Sequence, residues 1–226
     1  KNKKRKTFIA FKNAYHGDTV GAMSLGSGSD LFSVFKELFF KIKLFDYPST
    51  WYEDKNIEEK ENRILIKIED EFKKNNDIAG LIIEPLVQGS GGMNICRSIF
   101  MKKLSKLVKK YNNLLIYDEV MTGFGRTGEI FACKKTKTQP DIICLSKGLT
   151  GGFLPLSLTI TTNKIYNNFL GDNFDKALAH GHSFTANPLG CAASIASLNL
   201  FKSKKIFKKI KTIEIQHHIF LKKLLK

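Results

Sequence analysis

LLIYDEVMTGFGRTGEIFACKKTKTQPDIICLSKGLTGG occupies residues 114–152. Its first apolar run, Leu114 to Tyr117, stops at an acidic pair, Asp118 and Glu119; its second, Asp141 to Leu145, leads to a lone lysine, Lys147. Apolar runs this short, bounded by turn residues, predict strands buried on both faces, as in a parallel sheet. Ligands of such sheets sit beyond the carboxyl ends of the strands. A carboxylate at one strand end and an amine at another suit a cofactor that needs both. Pyridoxal phosphate is such a cofactor, because its ring nitrogen favours a neighbouring anion and its aldehyde combines with a lysine amine.

Working outward, Ile78 to Ile83 is a further continuous apolar run, closed by Glu84 and Pro85, and Thr7 to Phe11 reads as a short strand feeding AYHGDTVGAMSLGSG. Glu84, Asp118 and Lys147 therefore follow three predicted strands and point into one crevice. Ile57, Ile64, Leu65, Ile68 and Phe72 recur at helical spacing up to about Asn75, and Asn56 with Glu59 resembles a capping box. After the glycine-rich QGSGGM, the residues Phe100, Leu104, Leu107, Val108 and Tyr111 mark another helix. Ser157 to Thr162 reads as a more polar strand near an edge, and residues 31–55 read as loop and turns. Two more helices follow from Asn187, the second basic and amphipathic, with Ile206, Ile210, Ile213, Phe220 and Leu224 on its apolar side. Strands alternating with helices predict an α/β fold, a mainly parallel sheet with helices on both faces.

Composition narrows the function classes. The 226 residues are 42% hydrophobic and 26% charged, those of an ordinary globular protein. No apolar run approaches the eighteen or so residues that cross a bilayer, so no membrane role is expected. The net charge is +16, from 37 basic against 21 acidic residues. Such a balance raises nucleic acid as a partner. The excess is nearly all lysine, spread among Asn, Ile and Phe, which points to compositional bias and to no nucleic-acid partner. The opening KNKKRK is read likewise, as a solvated edge. Cys96, Cys133, Cys144 and Cys191 lie far apart without metal-ligand spacing, so reduced thiols, no metal and a cytoplasmic setting are expected. The first residue is Lys1 rather than Met, which suggests an internal piece of a longer chain.

YHG at Tyr15 to Gly17, EP at Glu84 and Pro85, DEV-TGFGRTG from Asp118 to Gly128, SKG at Ser146 to Gly148 and the later NPLGC occur in order along the chain. Together they resemble the class III pyridoxal-phosphate aminotransferases. YHGDT followed by GAMS, with HGHSFTANPLGC at His180 to Cys191, is most similar to the branch of that family that serves biotin synthesis.

The resemblance implies a fold type I large domain over residues 1–203, incomplete at its amino terminus, and the start of a small domain over residues 204–226. It implies that Lys147 binds the cofactor's aldehyde and shuttles the proton, and that Asp118 keeps the pyridine nitrogen protonated. Tyr15 and Val120 would cover the two ring faces, and Glu84 would anchor the network beside them. His16 would have a structural part, and Glu119 would face away or support the loop. Asp18 and Arg126, with Tyr15, would face substrate. Ser183 would reach the phosphate held by a neighbouring subunit, which implies a homodimer with composite sites. The main phosphate turn would lie upstream of Lys1; GSGSD at Gly26 to Asp30 follows the YHG segment and so is not that turn. The amino donor would be S-adenosylmethionine or lysine. Two other readings stay open: a class III enzyme acting on acetylornithine, ornithine or 4-aminobutyrate, and a non-catalytic basic remnant.

Overall fold

A computed structural model describes residues 5–225. In chain order the elements are β1 (Thr7–Phe11), α1 (Val20–Leu25), β2 (Ile42–Phe45), α2 (Ile57–Lys74), β3 (Ile78–Ile83), β4 (Val87–Gln88), β5 (Asn94–Ile95), α3 (Ser98–Lys110) and β6 (Leu114–Asp118). They continue with α4 (Ala132–Thr136), β7 (Ile142–Leu145), β8 (Leu158–Thr161), α5 (Asn163–Tyr166), α6 (Pro188–Phe201) and α7 (Lys204–Leu224).

Six strands form one sheet in the order β2-β1-β3-β6-β7-β8, parallel except for the antiparallel β7–β8 pair at one edge. The register aligns the strand ends, since Ile83 lies opposite Tyr117 and Asp118 opposite Cys144. Strand alternation sends Ile9, Phe11, Leu81, Ile83, Leu115 and Tyr117 into one core, where they meet Ile64, Ile68 and Phe72 of α2 and Phe100, Met101, Leu104 and Val108 of α3. Those helical residues are the apolar stripes seen in the sequence. A bidentate ion pair ties α2 to the start of α3: Arg97 Nε and Nη2 donate to the two oxygens of Glu61 at 2.9 and 2.7 Å, and Glu61 is fully buried.

Two local expectations need correction. Residues 31–55 are not merely loop, because Asp30–Leu38 forms a 3-10 helix and β2 pairs with β1 along four residues. A four-residue edge strand is too short to show a period, and Lys43 within it is drawn off by Glu71 at 3.0 Å. The capping box at Asn56 is not made, since Asn56 has non-extended backbone angles (φ −103°, ψ 6°) and its side chain caps nothing. Asp54 serves instead, accepting the Asn56 N–H at 3.1 Å and pairing with Lys60 at 2.8 Å. The glycine-rich QGSGGM is the tip of a small antiparallel hairpin, β4–β5.

Lys1 to Lys4 of the basic opening lie outside the described residues; Arg5 is docked, donating to the Asn112 carbonyl at 2.7 Å and to Asn113 Oδ1 at 3.0 Å. The break between α6 and α7 falls at Lys202 and Ser203. Phe201 and Phe207 flank that break with their rings 6.3 Å apart. Much of α7 is exposed, including Ile213, Phe220 and Leu224. Among the described residues no helix is long and apolar enough to cross a membrane, and no group of His, Cys, Asp and Glu is placed to hold a metal ion.

Candidate active site

The carboxyl ends of β3, β6 and β7, together with the segment after β1, enclose a cavity of about 380 Å³. Its walls include Tyr15, His16, Glu84, Asp118, Val120 and Lys147. That volume lies within the range of small-molecule sites, about 300–1,000 Å³. The residues come from chain segments more than a hundred positions apart, and the aligned strand ends are what bring them to one level.

Asp118 closes β6 and is buried. One oxygen accepts the Val120 N–H at 3.1 Å, and the other lies 2.7 Å from His16 Nδ1. With an ionised carboxylate the imidazole donates from Nδ1, so His16 fixes the orientation of Asp118. The His16 side chain is 2% exposed, and its Nε2 has no hydrogen-bond partner. Glu84, also buried, accepts the N–H groups of Tyr15 at 3.2 Å and Gly89 at 2.9 Å. Burial raises its pKa above the usual carboxylate value, against the lowering effect of those two N–H groups.

Glu119 points away from the cavity. Fully buried, it accepts the N–H groups of Ala132 and Cys133 at the start of α4, at 2.5 and 2.9 Å. Burial raises its pKa too. Adjacent carboxylates thus have opposite duties because consecutive strand residues face opposite sides of the sheet.

Lys147 begins a 3-10 turn two residues after β7, and its backbone is left-handed (φ 48°). That conformation is uncommon for a residue with a side chain and costs on the order of 1–2 kcal/mol. Gly148 makes the turn possible, because a Cβ there would lie 2.7 Å from the Phe124 Cβ. Ser146 steadies the approach by donating to the Leu156 carbonyl at 2.8 Å.

Tyr15 stacks on Phe32, with ring centroids 5.9 Å apart and planes 18° from parallel. Its hydroxyl donates to Asp18 at 2.8 Å, and this bond raises the tyrosine's pKa. Asp18 is exposed and reaches the cavity only through Tyr15. Arg126 is not brought to the cavity; it borders a different depression with Lys135, Ile210, Glu214 and His217. Ser183 is exposed on the segment before α6 and does not line the cavity. Residue-by-residue reading missed Gly89, Ser90 and Met93, which line it from the β4–β5 hairpin. The glycines following the strand-ending Glu84 were the available signal.

The donor set fits pyridoxal phosphate on the ring side: a buried, oriented anion, a lysine lining the same cavity, an aromatic and an aliphatic side chain, and a buried ring nitrogen on His16 left without a partner. On the phosphate side, GSGSD is engaged elsewhere, with Gly26 packed against the Ala14 carbonyl and Phe32, and Ser29 capping the 3-10 helix that follows.

Comparisons with known proteins bear on the family and the cofactor. Residues 1–226 match the family described as Aminotransferase class-III. The chain is 53% identical over 196 residues to an adenosylmethionine-8-amino-7-oxononanoate aminotransferase of Synechococcus elongatus, covering 87% of this chain and 46% of the relative. The enzyme of the same name from Methanocaldococcus jannaschii is 40% identical over 242 residues, 99% of this chain and 52% of the relative. The crystal structure of that protein superposes with a TM-score of 0.85 over 99% of this chain and 50% of its own. A PLP-bound amine transaminase from an uncultivated Pseudomonas species, 29% identical, gives 0.81 over 89% of this chain and 47% of its own. The chain spans about half the length of the curated relatives it matches.

Proposed function

This chain belongs to the class-III aminotransferases, and from that premise we propose that it is the cofactor-holding part of an enzyme that aminates 8-amino-7-oxononanoate to 7,8-diaminononanoate for biotin synthesis in the cytoplasm. The observation that carries the reading is the meeting of Tyr15, Glu84, Asp118, Val120 and Lys147 in one cavity. The 53% identity to a relative of that name supports the choice of acceptor.

Bound pyridoxal phosphate supplies an aldehyde that takes up an amino group and a ring that draws off the electron pair of a breaking bond. Asp118 would hold a proton at the ring nitrogen, with His16 Nδ1 and the Val120 N–H keeping its carboxylate aimed. Lys147 Nζ would anchor the cofactor and, once displaced by the donor, take up and return the proton that moves during transfer. Tyr15 and Val120 would hold the ring plane from its two faces, Tyr15 braced from behind by Phe32. Glu84 would stay fixed beside them through the Tyr15 and Gly89 N–H groups.

Asp18 would meet substrate at the side of Tyr15, to which it is hydrogen-bonded. Arg126, which lies outside the cavity, would meet only a part of the substrate that extends beyond it. The donor would be S-adenosylmethionine or lysine. Ser183 would serve the phosphate of a second subunit, and its exposure, away from this chain's own cavity, supports that assignment. So do the exposed apolar side chains around it, Phe174, Leu178, Phe184 and Leu189, which a second copy would cover. Residues 204–226 would begin a small domain.

The test is steady-state assay with alternative acceptors, alongside Lys147→Ala. Product formation from 8-amino-7-oxononanoate, and loss of bound-cofactor visible absorption in Lys147→Ala with the melting curve unchanged, are expected. Activity confined to 2-oxoglutarate would transfer the chain to the acetylornithine, ornithine or 4-aminobutyrate enzymes. Salt-sensitive nucleic-acid binding without any cofactor absorption would instead mark a basic remnant.

A further inference from the structure

Lys147 occupies a left-handed conformation that its own side chain disfavours, so something outside the turn has to hold it there. Within the turn the Leu149 N–H donates to the Ser146 carbonyl, the Gly151 N–H to Gly148, and the Gly152 N–H to Lys147 itself, at 3.1, 3.1 and 3.0 Å. These bonds close the turn on itself but do not tie it to the rest of the fold. Contacts beyond the turn do: Ser146 donates to the Leu156 carbonyl, and Leu149, 1% exposed, packs with Phe124 and Leu145. Two contacts act on Gly148 itself, beside the lysine: Phe124 stands against its backbone, and Ser197 of α6 donates its hydroxyl to the Gly148 carbonyl at 3.1 Å.

Ser197 is 7% exposed. A helical serine ordinarily bonds back to the carbonyl four residues earlier. Here the hydroxyl crosses 49 positions of sequence to reach the residue after the lysine. The Gly148 carbonyl thereby has both acceptor sites filled, by the Gly151 N–H and by Ser197. Ser194 supplies the contrast. One turn earlier on the same helix and equally buried, its Oγ has no partner. Burying a serine at this interface is therefore not what directs a hydroxyl to the lysine turn.

We propose that Ser197 is a positioning residue for Lys147: its hydrogen bond to the Gly148 carbonyl holds the lysine's strained backbone and so sets where the amine stands in the cavity. The reading of Lys147 as the cofactor-binding amine is a premise of the second half of this statement only.

The experiment compares Ser197→Ala, Ser197→Thr and Ser194→Ala in two measurements. The first, on cofactor-free protein, is amide hydrogen exchange at Gly151 and Gly152, whose N–H groups bond within the turn. Ser197→Ala should speed exchange there by about threefold to tenfold, the effect of one neutral hydrogen bond, while Ser197→Thr and Ser194→Ala leave it near wild type. The second is the rate at which Lys147 is captured by pyridoxal phosphate and fixed by borohydride, read by peptide mass. Capture should fall by a similar factor in Ser197→Ala alone and return in Ser197→Thr. Exchange that is unchanged in Ser197→Ala, or raised equally in Ser194→Ala, overturns the proposal. No capture at Lys147 in the wild type would instead overturn the cofactor reading, and exchange would still decide the role of Ser197. Should Ser197→Ala fail to fold, Ser197→Cys keeps the volume with a weaker donor and takes its place.

Discussion

Glu119→Ala and Asp118→Asn separate two carboxylates that stand side by side and do different work. Glu119 accepts the N–H groups of Ala132 and Cys133, both in buried residues. Removing it orphans two donors at about 1–3 kcal/mol each, so the loss is about 2–6 kcal/mol. Against a total stability of about 5–15 kcal/mol this is large, and at this chain length it lowers the melting temperature by roughly 4–24 °C. Glu119→Gln should cost less than alanine but still destabilise, since its one amide oxygen accepts only one of two N–H groups that now go to different carboxylate oxygens, while the desolvated charge that raises this group's pKa is gone. Asp118→Asn retains a side-chain oxygen for the Val120 N–H, so its melting temperature should shift by no more than a few degrees. What it loses is the anion at the cavity, and cofactor affinity should fall at least tenfold. Calorimetry and titration with pyridoxal phosphate on the same preparations read both quantities. A Glu119→Ala protein with wild-type melting and lost cofactor affinity would refute the division of roles.

Other consequences follow from the same geometry. Arg97→Ala strands a fully buried Glu61, and because Arg97 itself is partly exposed the cost should fall at the lower end for broken buried pairs, about 3 kcal/mol by urea denaturation. Glu84 has a native pKa above its unfolded value of 4.5, so the native state binds its proton first. Its contribution to stability is full below pH 4.5 and is lost as pH rises through the native value. Wild type should therefore gain stability relative to Glu84→Gln as pH falls toward 4.5, and a difference independent of pH would contradict the burial argument. Burial pushes the Cys96 and Cys133 thiols up to about 12 and Cys144 to about 11. At pH 8 a thiol reagent should label Cys191 first and reach Cys96 and Cys133 only on unfolding, as peptide mapping would show.

Apolar runs and their bounding turn residues were enough for β1, β3, β6 and β7, and helical periodicity for α2 and α3, because each of these patterns is local. The strand-ending Glu84, Asp118 and Lys147 were legible for the same reason: in a parallel sheet the carboxyl end of a strand is a place, and the residue found there inherits it. The basic excess and the scattered cysteines were legible as composition, without any structural detail attached.

Tertiary structure alone decided the rest. The edge strand β2 has too few residues to show a period and exists through its pairing with β1. That His16 grips Asp118 across 102 positions, and that Ser197 grips the lysine turn across 49, depends on register and helix placement, which no local pattern encodes. The same holds for Asp18, Arg126 and Ser183. One is linked to the cavity by a single hydroxyl, one lies against α7 and one is turned outward, although all three sit in motifs that the sequence presents alike. Side-chain type fixes what chemistry a residue can offer; long-range packing fixes which other residue receives it.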